Sequence, residues 1–99
     1  MSLDRVRVFE TISLHQQELR NLGVRNLKLF GSAARNEFGA NSDLDFLVEL
    51  SANTFDSYMG VKLFLEDLFG RTVDLVLEAS IKPCLRDHIQ REAIHAPGF

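Results

Sequence analysis

Apolar residues in the first quarter of the chain recur with a helical period. Leu3, Val6, Phe9, Ile12, Leu19 and Leu22 fall at spacings of three or seven, with Gln16, Gln17, Glu18 and Arg20 between them. That pattern predicts an amphipathic helix over residues 3–22, stopped near Gly23. The period then shortens: Leu27-Lys28-Leu29-Phe30 reads as a strand, Gly31 interrupts it, and residues 32–38 have the propensity for about two turns of helix before a turn at 39–42. Residues 43–50 alternate, with Leu44, Phe46, Val48 and Leu50 on one side and Asp43, Asp45, Leu47 and Glu49 on the other, so one face is core and the other mostly acid. Residues 55–69 form a strongly apolar helix closed by Gly70. Around 71–78 the alternation returns, Val73, Leu75 and Leu77 against Thr72, Asp74 and Val76. The last helix runs from Pro83, in its first turn, to Ile94, with Leu85, His88, Ile89 and Glu92 along one stripe, and Pro97-Gly98 is expected to end the fold. The order is α-β-α-β-α-β-α without internal repeat or linker, which predicts a single domain over 1–99.

Composition narrows the function classes. With 45% hydrophobic and 25% charged residues the chain is of ordinary globular type, and its apolar runs are far below the roughly 20 residues of a membrane span. Asp4 and Arg5 stand where a secretory signal would be apolar, and the lone Cys84 has no internal disulfide partner, so a cytoplasmic location and no membrane association are expected. The net charge of −3 arises from 14 acids against 11 scattered Lys and Arg, which argues against direct nucleic-acid binding. A nucleotide is a different matter, since divalent cations can stand between carboxylates and phosphates.

Two aspartates one residue apart in a strand project from the same face, with Cα atoms about 6–7 Å apart. Their charges, at a separation of about 5 Å and an effective dielectric of 20, repel by roughly 3 kcal/mol. Asp74 has the same parity in its own strand. If the two strands are neighbours over a shared core, Asp43, Asp45 and Asp74 all emerge on the other face. Hard cations with oxygen ligands are the natural counter-charge; Mg²⁺ takes a few carboxylates and completes its shell with water and phosphate, and three aspartates can hold a pair of ions for two-metal catalysis. Gly31 lets backbone approach a phosphate closely, and the helix start at Ser32 can donate to its oxygens. Such a site suits a metal-bound triphosphate.

Gly31-Ser32, ten residues, then Asp43-Leu44-Asp45, and Asp74 in "VDLV" resemble the signature of the polymerase β-type nucleotidyltransferase superfamily. The whole stretch "LFGSAARNEFGANSDLDFLVEL", with the terminal "KPCLRDHIQREAI", is most similar to the minimal nucleotidyltransferase (MNT) proteins. The resemblance implies an α+β fold with a small mixed sheet flanked by helices, and transfer of a nucleoside monophosphate, AMP from ATP or another NTP, to a hydroxyl. It implies that Asp43 and Asp45 bridge two Mg²⁺ ions, that Asp74 holds the ion beside the acceptor oxygen, and that Gly31, Ser32 and Arg35 meet the nucleotide. With no chain left for an acceptor domain, the implied acceptor is a tyrosine of a small helical HEPN-domain toxin, the chain acting as antitoxin. Two alternatives stand beside it: a binding module that masks such a partner without chemistry, and a transferase for a small molecule.

Each residue also has a plainer reading. Asp43 suits strand entry, whereas Asp45 sits inside a strand where Asp is disfavoured. Asp74 can pair with Arg71 or cap an edge, and Gly31-Ser32 can be a turn and an N-cap. Arg35 can reach a phosphate or pair with Glu37. Asn41 and Ser42 read as turn residues, and Glu49 as solvated. His15 is expected to be exposed, His88 packed and His95 in a loose tail; Cys84 reads as a small packing residue, and no His/Cys grouping suggests zinc. The apolar helix carrying Lys62 is expected to leave a stripe partly exposed.

Overall fold

A computed structural model of the chain describes residues 4–35, 43–52 and 54–99. The first helix begins where Asp4 accepts a hydrogen bond from the Arg7 amide at 2.8 Å, and α1 runs Arg5–Leu14. The single helix expected over 3–22 is broken at His15, whose backbone (φ −116°, ψ 19°) leaves the helical region before α2, Gln16–Asn21. His15 closes the break twice, its amide donating to Ile12 O at 3.0 Å and its ring Nδ1 bonded to Thr11 O at 2.8 Å. The ring then lies edge-on to Phe64, 6.0 Å between centroids, so His15 is packed at this break rather than exposed. Val8, Ile12 and Leu19 are the fully buried residues of these helices, while Val6, expected inside, is exposed.

Gly23 at φ +101° turns the chain into β1, Val24–Phe30, three residues longer than expected and irregular between Val24 and Asn26. A short helix α3, Gly31–Ala34, follows directly; the second turn expected for it falls outside the described residues. Next come β2, Leu44–Leu50, α4, Phe55–Phe69, and β3, Val73–Leu77. Thr54 caps α4 by accepting from Ser57 N at 3.2 Å, and Gly70 at φ +62° ends it, as expected. A 3₁₀ turn, Glu78–Ser80, leads to α5, Pro83–Glu92, and a two-residue strand β4, Ile94–His95.

The sheet is mixed, in the order β3-β2-β1-β4, with β1 antiparallel to β2 and β4 and with β2 parallel to β3. Its core face gathers Leu27, Leu29, Leu44, Phe46, Val48, Val73 and Leu75 against Val8 and Ile12 of α1, Leu19 of α2 and Val61 and Leu65 of α4. Alternation in the strands is thus what the helices read as a surface to cover. The outward backbone of edge strand β3 is taken up by α4: Glu66 accepts from Val73 N at 3.1 Å, and the Tyr58 hydroxyl donates to Leu75 O at 2.6 Å. An edge so occupied is closed to strand pairing along that stretch.

The other face, expected to be mostly acid, is in part covered. Leu47 is buried there, opposite Lys28 in register, and Lys28 Nζ meets Glu78 Oε1 at 2.9 Å with both side chains largely covered. His95 belongs to β4, paired with Lys28, and is not in a loose tail. The chain does not end its contacts at Pro97: Gln16 Nε2 donates to Pro97 O at 2.9 Å, Arg20 bonds Gly98 O, and its guanidinium lies 5.0 Å over the Phe99 ring.

Candidate active site

Parallel pairing of β2 with β3 sets Leu44 opposite Val73 and therefore Asp45 opposite Asp74. Paired residues share a face, so Asp45 and Asp74 stand side by side on strands about 5 Å apart, away from the core into which Leu44 and Val73 point. Asp43 precedes β2 by one residue and is exposed, as is Asp74; Asp45 is half-buried. The arrangement leaves an electrostatic mark. Partial burial, then the charge of Asp74, then that of Asp43 push the Asp45 carboxyl above its ordinary range.

On its other side Asp45 is registered with Phe30, the last residue of β1. Gly31 follows at φ +71°, and a Cβ there would lie 3.2 Å from Asp45 Cγ and closer still to Oδ2. Two demands therefore meet at this glycine: a left-handed backbone and room for a carboxylate. They set Gly31, the first residue of α3, against the Asp45 carboxylate, with Ser32 next along the chain. Arg35 N bonds Gly31 O at 3.4 Å, one turn on. Its guanidinium Nη1 meets Glu92 Oε2 of α5 at 3.3 Å, so a partner from α5 joins the two possibilities weighed from sequence; Glu37 lies outside the described residues. Arg5 of α1 donates from Nη1 to Ala34 O at 2.7 Å, tying the end of α3 to the first helix.

Among the described residues no three His, Cys, Asp or Glu side chains are gathered tightly enough to hold a metal ion as they stand. Like charges have no reason to converge on their own. The Asp45–Asp74 pair nevertheless offers two carboxylates side by side, a donor number that magnesium accepts when phosphate oxygens and water complete its shell.

The remaining candidates are dispersed. Glu49 is exposed near Arg25, as expected. His88 is 74% exposed and 3.9 Å from Glu92, and Cys84 is exposed, so neither is the packing residue expected; of the expected stripe on α5, Leu85 is exposed as well, and Ile89 and Glu92 are half-buried. Asn41 and Ser42 lie outside the described residues. Lys62 pairs with Glu66 at 3.1 Å, and the hydrogen bond from the Val73 amide, with this pairing second, pulls the Glu66 carboxyl below its ordinary value. The apolar stripe of α4 is open in part, Phe55 75% and Leu63 57% exposed. Beside Phe55, a groove of about 440 Å³ runs between α4 and β3, lined by Tyr58, Leu75, Val76 and Leu77. No helix of the described residues is long and apolar enough to cross a membrane.

Sequence reasoning missed Phe30, Arg5 and Glu92. Phe30 was detectable, since its strand parity matches that of Lys28 on the Asp45 face; Arg5 and Glu92 reach α3 only through the tertiary fold.

Comparison with known proteins agrees with this geometry. Residues 12–96 match the family model described as a nucleotidyltransferase domain. The protein adenylyltransferase MntA of Thermococcus cleftensis is 34% identical over 86 residues, spanning 85% of this chain and 87% of that protein. A solved structure described as a candidate minimal nucleotidyltransferase superposes with a TM-score of 0.74 at 37% identity, covering 93% of this chain and 95% of the other. A toxin-antitoxin crystal structure with AMP-PNP shares the fold at a TM-score of 0.73 and 21% identity, over 92% of this chain and 73% of that one. The chain belongs to the nucleotidyltransferase domain family, among its minimal nucleotidyltransferases.

Proposed function

We propose that this nucleotidyltransferase moves AMP from ATP to a hydroxyl, a tyrosine of a small helical HEPN-type toxin, and so acts as its antitoxin. The observation that carries the chemistry is the register of Asp45 with Asp74, with Gly31 against the Asp45 carboxylate. The adenylyltransferase name of the Thermococcus relative and the toxin-antitoxin assembly of the AMP-PNP-bound neighbour support the choice of donor and acceptor.

Asp43, Asp45 and Asp74 are the ligands that would hold Mg²⁺, two ions in this reading, which when bound neutralises phosphate charge and activates the attacking oxygen. Gly31 gives the triphosphate its close approach, and Ser32 with the amides at 31–33 donates to the β- and γ-phosphates. Arg35 supplies positive charge one turn further on. The acceptor oxygen bonds to the α-phosphorus as the bond to the β-phosphate oxygen breaks; pyrophosphate leaves, and the hydroxyl proton passes to the Asp74 carboxylate. Holding acceptor and phosphorus in line is the main work of such a site.

A second reading has its own observation. Phe55 and Leu63, exposed along α4, suit a surface that covers a partner without chemistry. Intact-mass measurement of the toxin after co-expression separates the two. Transfer predicts an AMP-sized increase with wild type that Asp45→Asn abolishes, along with protection. An unmodified toxin neutralised equally by both proteins refutes transfer.

A further inference from the structure

We propose that Glu92 is an internal competitor for the nucleotide phosphates, holding Arg35 in an ion pair that the bound triphosphate must displace. The inference rests on the nucleotide reading above and adds a residue of α5 to the site. Arg35 sits one turn beyond Gly31, whose backbone adjoins the Asp45 carboxylate, and neighbours at that spacing on a helix lie about 5–6 Å apart. A guanidinium there is within reach of phosphates seated on the start of α3. Its Nη1 instead meets Glu92 Oε2 at 3.3 Å, across the packing of α3 on α5.

The position of Glu92 is not one that helix stability would choose. It is the last residue of α5, where the exposed carbonyls of the helix end disfavour a carboxylate. His88, four residues earlier, lies 3.9 Å from the other carboxylate oxygen. The Arg35 and Glu92 side chains are 48% and 35% exposed, so their bond is readily exchanged. An ion pair so open to water is weak, and a triphosphate carries more charge than one carboxylate. Glu92 therefore opposes nucleotide twice, by occupying Arg35 and by repelling the phosphates, and both effects have the same sign. The consequence is an affinity set below what Arg35 alone provides.

The test is calorimetric titration of the full chain with ATP in the presence of Mg²⁺, for wild type, Glu92→Gln, Arg35→Gln and the double variant. Glu92→Gln keeps the shape and removes the charge, so it is expected to tighten ATP binding about two- to fivefold, the range of an exposed ion pair. Arg35→Gln weakens binding, and in that background Glu92→Gln yields less than half of its single-variant gain. Salt narrows the difference between wild type and Glu92→Gln. Circular dichroism melts establish that each variant is folded. If wild type binds ATP and Glu92→Gln binds no more tightly, or gains as much without Arg35, the competitor role is overturned while the nucleotide reading stands. If wild type binds no ATP with metal present, both fall.

Discussion

Replacing Asp45 by Asn should stabilise the metal-free protein. The carboxylate of Asp45 is half-buried, faces Asp74 in register on the adjacent strand and has Asp43 two residues before it. At about 5–7 Å each pair would repel by roughly 2–3 kcal/mol at an effective dielectric of 20. Asp43 and Asp74 are exposed, however, and water and salt reduce such interactions several-fold. A net gain of about 1 kcal/mol remains for Asp45→Asn at neutral pH, which in a domain of this size moves the midpoint by about 4–8 °C. Thermal melts in EDTA measure it directly. The pH dependence carries the cause: because burial and the neighbouring acids raise the Asp45 carboxyl in the folded state, the native protein takes up its proton before the unfolded chain does. Relative to the Asn variant, wild type therefore gains stability as pH falls through the raised value, the gain being complete below the ordinary carboxylate range. The advantage of Asn closes in the same interval. A variant that melts lower than wild type at pH 7, or an advantage independent of pH, would mean that Asp45 is held by favourable bonds and that repulsion does not describe this site.

Gly31→Ala should cost about 1–3 kcal/mol through its positive φ and push on Asp45, weakening ATP binding as well; denaturant melts and calorimetry read the two losses. Gly70→Ala is the control, with a positive φ but nothing within 4 Å, and should lose about 1 kcal/mol with binding intact. Lys28→Met should destabilise by about 2–3 kcal/mol because it strands Glu78 in a largely covered position, and the double variant with Glu78→Gln should recover part of that loss in denaturant melts. Phe55→Ser should change stability by less than about 0.5 kcal/mol, since the ring is mostly exposed, and should weaken capture of the proposed toxin partner in a pull-down if α4 faces it.

Where local pattern determines structure, the sequence was legible. The alternation of 43–50 and 73–77 located both acid-bearing strands, and the capped apolar run of 55–69 gave α4 to the residue. Gly31 was marked by its place between a strand and a helix. What stayed hidden depends on contacts made far along the chain. The break at His15 comes with its ring packed edge-on to Phe64, β4 pairs along the edge of β1, and Leu47 is buried on a face that alternation alone leaves in water. Arg35 shows the same limit. Both partners weighed for it, a phosphate and Glu37, were local to its own segment, whereas the contact with Glu92 spans 57 residues. His88 erred in the opposite direction: helical spacing with Leu85 and Ile89 implied one buried stripe, but α5 packs against α3 and leaves both Leu85 and His88 exposed.

The residues that broke strand propensity are the ones that mark the candidate site, and the energetics give a reason. An aspartate pair inside a sheet lowers the stability of a small domain, so its position needs a return in the bound state. A ligand that binds only the folded protein at about a hundred times its dissociation constant stabilises it by about 2.7 kcal/mol, more than the repulsion estimated for Asp45. Fold and site are then coupled. With Mg²⁺ and ATP present, wild type should overtake Asp45→Asn in thermal stability, reversing the order found in EDTA. That reversal discriminates between explanations which either melt alone leaves open. If Asp45 merely strained the fold, Asn would remain the more stable form under both conditions; if it were an ordinary structural acid, wild type would lead under both. Only a carboxylate placed for cations and phosphate gives a crossing, and the crossing should disappear when the nucleotide is withheld and magnesium is chelated.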